Sequence, residues 1–209
     1  MMLEIKDLTF SYDDKLIFDK FSFKLDEKEI LCINGKNGSG KTTLLKILSG
    51  LNYCPDLECY LNNKKISQPM LKDYISYIPS QPNFFEIMSA KDFILWIKAL
   101  WNKDQIFVDK VYSYIGYLDL DINPEYQIGT YSLGMKYKLY FSTFLALDKK
   151  IILMDEPLNS LDISSRKKAI ALVKQNIEDN KSASIFSSHV KDTILDLSTR
   201  SINLGENYE

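Results

Sequence analysis

The chain has 209 residues, of which 45% are hydrophobic and 26% charged, and its formal net charge is −2. These values are typical of a folded globular protein of one domain, with or without a subdomain, and they exclude a largely disordered chain. The small net charge argues against a strongly basic nucleic-acid-binding protein, so we expect no nucleic-acid partner.

Three cysteines, Cys32, Cys54 and Cys59, are too few and odd in number for a disulfide framework. We expect buried thiols in a reducing compartment. The longest uncharged stretch, residues 74–85, is shorter and more polar than the ~20 apolar residues of a membrane span. The N-terminal residues lack the apolar core of a signal peptide. The sequence therefore predicts a soluble, cytoplasmic protein that reaches a membrane only through a partner.

The first eighty residues show the patterns of five strands and one helix. Apolar residues alternate in the first two strands, and an almost entirely apolar run over residues 30–33 is typical of a buried parallel strand. Helical spacing follows a glycine-rich loop, and Gly50 marks the end of that helix. The predicted elements are strands over 3–10, 18–25, 30–33, 59–62 and 74–78 and a helix over 42–51.

Helical spacing dominates between residues 84 and 147, where Ser89 and Asp92 resemble a capping box. A buried strand returns at residues 151–154. We interpret residues 84–147 as a helical insert in an α/β domain formed by residues 1–83 and 148–209. The predicted elements are helices over 93–101, 108–118, 133–147, 164–180 and 190–198 and strands over 151–154, 184–187 and 201–204.

The strongest motif runs from Gly35 to Thr42 and has the form G-x-x-x-x-G-K-[ST], with a strand before it and a helix after it. Glycines let backbone N–H groups turn toward phosphate oxygens, and the helix N-terminus adds a favourable dipole. Lys41 would contact the β- and γ-phosphates of a nucleotide, and the Thr42 hydroxyl would bind Mg²⁺. The predicted nucleotide-binding residues of this loop are Asn37, Gly38, Ser39, Gly40, Lys41, Thr42 and Thr43.

Two acidic residues, Asp155 and Glu156, directly follow the apolar strand at residues 151–154. This is the Walker B pattern, in which Asp155 would hold Mg²⁺ directly or through water. Glu156 would lie beside the γ-phosphate and orient or deprotonate the attacking water.

With these motifs the chain resembles the nucleotide-binding subunits of ATP-binding-cassette (ABC) transporters over nearly its whole length. That family combines a glutamine at a strand end, a helical subdomain, a signature loop, a Walker B glutamate, a D-loop and a switch histidine. The resemblance implies a P-loop NTPase (RecA-like) core with an N-terminal antiparallel β-subdomain and an inserted helical subdomain, as one domain over residues 1–209. The corresponding residues occur here in the same order: Gln81, residues 84–147, Tyr131-Ser132-Leu133-Gly134-Met135, Asp155-Glu156, Asn159-Ser160-Leu161-Asp162 and His189.

The resemblance also implies roles for single side chains. Gln81 would bind Mg²⁺ and the attacking water, and His189 would donate a hydrogen bond to the γ-phosphate. Tyr12 matches the aromatic residue that stacks on adenine, a contact worth about 1–3 kcal/mol for bases in general. Asp162 would either hold two facing subunits in register or cap the following helix, and the sequence leaves both readings open.

The signature loop departs from the commonest form, L-S-G-G-Q, because Tyr131, Leu133 and Met135 replace Leu, Gly and Gln. Ser132 and Gly134, which in the family contact the ATP of the opposite subunit, are retained. The resemblance therefore implies a second cassette as partner, in a homodimer or a heterodimer. The loop looks like a variant of ABC-2-type exporters, and the short chain after His189 also favours an exporter of a peptide or antimicrobial.

The aromatic stretch between Phe84 and Trp101 matches the segment beside which the family receives a helix of its membrane permease. We therefore expect some of Phe84, Phe85, Met88 and Trp96 to be partly exposed. The predicted protein is an ATPase that powers a membrane transporter from the inner face of the cell membrane, with ATP and Mg²⁺ as cofactors.

Three alternatives stay open at this point. The altered signature loop is compatible with a regulatory or degenerate cassette that pairs with a different ABC ATPase. A non-transport ABC ATPase acting on ribosomes or DNA usually carries two cassettes or a long coiled-coil insert, which this sequence lacks. A small-molecule kinase would share the phosphate-binding loop, but not the Walker B glutamate, the signature loop or His189.

Overall fold

The computed structural model describes residues 2–204. Strands and helices alternate along most of the chain, as expected for an α/β domain. A 3-10 turn at Ile128–Thr130 precedes the fifth helix. In chain order the elements are β1 (Leu3–Tyr12), β2 (Lys15–Leu25), β3 (Ile30–Gly35), α1 (Lys41–Leu48), β4 (Glu58–Leu61), β5 (Lys64–Ile66), α2 (Gln68–Leu71), β6 (Ile75–Ile78), α3 (Ala90–Leu100), α4 (Gln105–Tyr117), α5 (Leu133–Leu145), β7 (Ile151–Met154), α6 (Ile163–Asn180), β8 (Ala183–Ser187), α7 (Lys191–Leu197) and β9 (Arg200–Leu204).

The strands form two sheets. An antiparallel sheet has the strand order β2-β1-β4-β5, and a parallel sheet has the order β6-β7-β8-β3-β9. In a parallel sheet the carboxyl ends of all strands meet at one edge, where ligands of open α/β sheets bind. The segments after β3, β6, β7 and β8 therefore lie at the same edge, and they contain the predicted site residues except Tyr12, Ser132 and Gly134.

Apolar side chains form three clusters. One packs the antiparallel sheet and α1 against one face of the parallel sheet, and Phe21, Phe23 and Leu25 are buried in it as the alternation of β2 predicts. A second packs α5, α6 and α7 against the other face. The third lies within the helical stretch and includes Phe93 of α3 and Val111 of α4. We propose that the third cluster is the core of a helical subdomain over residues 84–147, whose last helix α5 also packs on the parallel sheet.

The predicted strands and α-helices agree with the structure apart from their ends and two omissions. Helix α1 ends at Leu48, three residues before the predicted end, because Ser49 caps it and Gly50 turns the chain with a φ of +79°. The short edge strand β5 and the one-turn helix α2 were not predicted. Ser89 caps α3 as expected, with its hydroxyl accepting from the Asp92 N–H at 3.1 Å.

Two further expectations concern the burial of the cysteines and the absence of a membrane span. Cys32, Cys54 and Cys59 are free and buried, as the sequence predicts. Within residues 2–204 every helix is too short or too polar to span a bilayer.

Candidate nucleotide-binding and catalytic site

The glycine-rich loop joins β3 to α1 and carries Lys41 on its inner side. The Lys41 Nζ donates hydrogen bonds to the carbonyls of Gly35 at 2.8 Å and Lys36 at 3.2 Å, and the side chain is buried. Charge-assisted bonds of this kind hold an ammonium group that burial would otherwise disfavour. The loop thus folds around a positive charge at the N-terminus of α1, which is an anion-binding arrangement.

The close packing of the loop leaves little room for a side chain at Gly40. Its φ is +100°, and an added Cβ would lie 2.8 Å from Cγ2 of Ile17 and 3.0 Å from Cζ of Phe18. The loop therefore packs tightly against β2. A cavity of about 230 Å³, which we call the phosphate-loop cavity, is lined by Ile17, Asn37, Gly38, Gly40, Lys41, Thr42, Thr43 and Glu156.

The loop also contains an unsatisfied polar atom. The Ser39 hydroxyl is buried and has no hydrogen-bond partner within residues 2–204. Leaving such a group unpaired costs about 1–3 kcal/mol. A phosphate oxygen held in the loop would supply the missing partner, so the residues present fit a nucleotide phosphate.

Thr42 and Asp155 meet across the edge of the parallel sheet. The Thr42 hydroxyl lies 3.1 Å from Oδ1 and 3.0 Å from Oδ2 of Asp155, which is itself buried. A cavity of about 370 Å³, the edge cavity, is lined by both residues and by the exposed Gln81. Hydroxyl, carboxylate and amide oxygens are the ligands that Mg²⁺ prefers, so these three residues fit the ion.

Ser187, the last residue of β8, contacts both acidic residues and was missed by the sequence analysis. Its buried hydroxyl donates to Asp155 Oδ1 at 2.7 Å and accepts from the Glu156 N–H at 2.8 Å. Only the pairing of β7 with β8 reveals this contact. The apolar Ile17 was also missed, because nothing in its local sequence distinguishes it from other strand residues.

The carboxylate of Glu156, the second acidic residue of the site, contacts the imidazole of His189. The His189 Nδ1 lies 3.0 Å from Oε1 and 2.9 Å from Oε2 of Glu156, and the Asn159 amide donates to Oε2 at 3.2 Å. The backbone of Glu156 has a φ of +46°, which is uncommon for a non-glycine residue and is typical of functional sites. The side chain faces the phosphate-loop cavity, so the structure brings Lys41, Thr42, Asp155, Glu156 and His189 to one edge.

The signature and D-loop residues lie in a different place. The Ser132 hydroxyl caps α5 by accepting from the Met135 N–H at 3.3 Å, and Gly134 lies against the Ser160 carbonyl, 3.2 Å from where a Cβ would be. Both line a cavity of about 280 Å³ that includes Asp162 and shares no residue with the phosphate-loop cavity or the edge cavity. Within one chain the structure does not bring Ser132 and Gly134 to the phosphate loop.

Hydrogen bonds to other parts of the same chain hold the D-loop at both of its ends. Asp162 caps α6 by accepting from the Ser165 N–H at 2.9 Å, and its hydrogen bonds from Ser165 lower the pKa of that carboxyl. The structure thus has Asp162 as a helix cap. The buried hydroxyl of Tyr137, on the signature helix α5, accepts from the Leu158 N–H at 3.4 Å, two residues after Glu156.

Tyr12 lies at the end of β1, outside the residues that line the two cavities at the edge. The residue is 45% exposed, and its ring packs edge-on against Phe10 at 5.0 Å between centroids. The Asn52 amide donates to its hydroxyl at 2.5 Å. An exposed ring held at both its edge and its hydroxyl is suited to stacking, although Ile17 rather than Tyr12 borders the phosphate loop.

The aromatic stretch around α3 is partly exposed, as expected. Phe85 is 62% and Trp96 39% exposed, and their rings meet edge to face at 5.6 Å. Phe84 is partly buried against Phe93, and Met88 is partly buried as well. Phe85 and Trp96 thus form an apolar surface on the helical stretch.

Known proteins are similar to this chain over most of its length. A sequence family described as "ABC transporter" matches residues 18–159. The chain is 37% identical over 161 residues, 77% of this chain and 72% of the relative, to the cytochrome c biogenesis ATP-binding export protein CcmA of Reclinomonas americana. It is 31% identical over 217 residues, 99% of this chain and 84% of the relative, to a probable iron chelatin transport ATP-binding protein of Helicobacter pylori.

Solved structures show the same architecture. An ATP-binding subunit of an ABC transporter superposes with a TM-score of 0.88, covering 98% of this chain and 86% of the other. The identity is 19%, so this similarity concerns the fold. It agrees with the P-loop NTPase architecture expected from the sequence.

Proposed function

The chain belongs to the ABC transporter family, whose cassettes bind and hydrolyse ATP, and from this premise we propose which of its residues do so. Lys41 and the surrounding loop residues Asn37–Thr43 hold the phosphates. Thr42, Asp155 and Gln81 hold Mg²⁺, and Glu156 and His189 act at the γ-phosphate. The observation that carries this proposal is the convergence of Thr42, Asp155 and Glu156 on the loop that contains Lys41.

The chemistry follows from the positions of these groups. The Glu156 carboxylate, at the wall of the phosphate-loop cavity, accepts the proton of a water aligned with the γ-phosphate. His189 and Lys41 donate hydrogen bonds to the oxygens on which negative charge accumulates during transfer. Thr42, Asp155 and Gln81 would hold Mg²⁺, which would supply positive charge to the bound phosphates. Most of the rate acceleration would come from positioning and charge stabilisation rather than from covalent chemistry.

Tyr12 is proposed to stack on the adenine. The 45% exposure of Tyr12 supports this role, and the Asn52 amide and Phe10 limit its freedom. Pre-ordering a side chain reduces the entropy lost on binding.

Members of the family dimerise and work with membrane permease subunits. We propose that Ser132 and Gly134 complete the ATP site of a second cassette, in a homodimer or a heterodimer. The separation of their cavity from the phosphate-loop cavity within one chain supports a site completed in trans.

The exposed Phe85 and Trp96 support permease docking between Phe84 and Trp101, which would hold the protein at the inner face of the membrane.

The direction of transport is proposed to be outward. The variant signature loop favours an exporter, and the name of the 37% identical relative CcmA includes export. A peptide or antimicrobial cargo stays a prediction from the sequence, since neither relative's name mentions one.

The proposal is tested by the variant Glu156→Gln, which keeps the size of the side chain and removes its basicity. ATP binding should persist while the hydrolysis rate falls at least about tenfold, because general-base catalysis typically contributes 10²–10⁴-fold. Glu178→Gln, on α6 and paired with Lys28, is the matched control and should retain full activity. A near-normal rate in Glu156→Gln would remove Glu156 from its role.

A further inference from the structure

Ser187 occupies a position that the pairing of β7 and β8 determines. The two strands run parallel, with Leu153 beside Ile185 and Met154 beside Phe186. The next residues in this register are Asp155 and Ser187, so the two side chains lie next to each other at the edge of the sheet. Ser187 is fully buried, with no accessible surface.

The Ser187 hydroxyl is hydrogen-bonded to both acidic residues of the site. It donates to Oδ1 of Asp155 at 2.7 Å and accepts from the backbone N–H of Glu156 at 2.8 Å. A serine hydroxyl has one hydrogen to donate, so this hydrogen is committed to the Asp155 carboxylate. One side chain therefore holds the carboxylate of one residue and the backbone of the next.

Each of these bonds fixes a different feature. The bond to Oδ1 restrains rotation of the Asp155 carboxylate, so that Oδ2 stays 3.0 Å from the Thr42 hydroxyl. The bond from the Glu156 N–H stabilises a backbone with a φ of +46°. It thereby fixes the backbone position from which the Glu156 side chain extends. Burial strengthens both bonds, because no water competes for the partners.

We propose that Ser187 is a positioning residue that couples the Mg²⁺ ligand Asp155 to the catalytic Glu156 through a single hydroxyl. The inference rests on the roles proposed above for Asp155 and Glu156. Ser187 itself has no accessible surface, so it acts through Asp155 and Glu156. Its loss would alter the direction of the Asp155 carboxylate and the backbone of Glu156 together, whereas the phosphate loop and Lys41 would be unchanged.

The test compares Ser187→Ala with Ser184→Ala. Ser184 lies on the same strand, is equally buried, and donates to the Ile152 carbonyl at 2.9 Å, away from the site. The two variants lose the same atom at the same depth. Ser187→Cys keeps more of the volume and replaces the hydroxyl by a weak donor, so it provides the same measurement if Ser187→Ala does not fold.

Three quantities are measured on the full chain: kcat, KM for ATP, and the Mg²⁺ concentration for half-maximal ATP binding in equilibrium dialysis. We expect kcat to fall and the required Mg²⁺ concentration to rise, each by about tenfold or more, since residues that orient metal ligands typically contribute 10–100-fold. ATP binding without Mg²⁺ should stay within about twofold of the wild type, because the loop is intact. Ser184→Ala should change none of the three.

The inference is overturned if Ser187→Ala or Ser187→Cys keeps kcat and the Mg²⁺ requirement within about twofold of the wild type. It is equally overturned if Ser184→Ala shows the same losses, because the effect would then be one of strand packing. Glu156→Gln is measured in parallel. A fast Glu156→Gln enzyme would refute the proposed function, whereas a slow one beside a normal Ser187→Ala enzyme would refute only the role of Ser187.

Discussion

The Nδ1 atom of His189 lies within 3.0 Å of both carboxylate oxygens of Glu156, although the two residues are 33 positions apart. The side chain of His189 is 59% exposed, and that of Glu156 is 19% exposed. The contact therefore places His189 at the mouth of the site, with its ring anchored by the residue proposed as the base.

His189→Ala should lower kcat while ATP binding persists. The variant removes a donor to the γ-phosphate oxygens and the side-chain anchor of Glu156, and losing a donor of this kind typically costs about 10²–10³ in rate. Steady-state hydrolysis and equilibrium ATP binding measure the two effects separately. An unchanged kcat would show that His189 is only a surface partner of Glu156.

Lys41→Ala should weaken ATP binding. A charged hydrogen bond is worth about 1.5–3 kcal/mol, which corresponds to roughly 10- to 150-fold in affinity. The comparison is Lys174→Ala, an exposed residue of α6 that should bind ATP normally. If Lys41→Ala bound ATP as tightly as that control, the assignment of the phosphate loop would be wrong.

Gly40→Ala should be more damaging to folding than Gly38→Ala. Both glycines have positive φ values, +100° and +83°, so both variants carry backbone strain. Only Gly40 also faces a steric clash, with Ile17 and Phe18, whereas nothing lies within 4 Å of the Cβ position at Gly38. We expect Gly40→Ala to lose about 1–3 kcal/mol more in the free energy of unfolding, measured by denaturant titration. Equal losses would contradict the close packing of β2 on the loop.

The buried cysteines should resist alkylation in the native protein. Burial raises the pKa of Cys32 to about 12 and that of Cys59 to about 11, and it raises the pKa of Cys54 as well. The thiolate is the reactive form, so labelling at pH 8 should be slow until the chain is unfolded. Complete labelling of the folded protein within minutes would contradict the burial.

The same thiols make stability depend on pH in the alkaline range. Their pKa values are higher in the folded than in the unfolded chain, where a thiol ionises near pH 8.5. Their contribution is thus fully present below that pH and is lost as the pH rises toward about 11 and 12, the folded values of Cys59 and Cys32. Between pH 8.5 and about 12, the free energy of unfolding of Cys32→Ala should therefore fall less than that of the wild type.

Local patterns were sufficient to predict most of the fold. The apolar run before Gly35 predicted a buried strand, and the spacing after Lys41 predicted α1, because burial and periodicity are properties of neighbouring residues. The edge strand β5 was missed because two of its three residues, Lys64 and Lys65, are charged and carry no alternation.

The site was predicted only as far as its motifs extend. Lys41, Thr42 and Asp155 belong to sequence motifs, and Thr42 does meet Asp155 in the structure. The contacts of Ser187 and Ile17 depend on the register of β8 beside β7 and on the packing of β2 against the loop. These are pairings between distant segments, which local sequence patterns do not specify.

The solution mass of Glu156→Gln with and without Mg-ATP decides whether the ATP site is completed by a second chain. Ser132 and Gly134 lie away from the phosphate loop of their own chain, and the neighbouring Leu133 is 55% exposed, as expected at an interface. We expect saturating Mg-ATP to convert the monomer to a dimer in which each signature loop faces the other chain's nucleotide. A variant that binds Mg-ATP and stays monomeric would contradict a site completed in trans by a second copy of this chain.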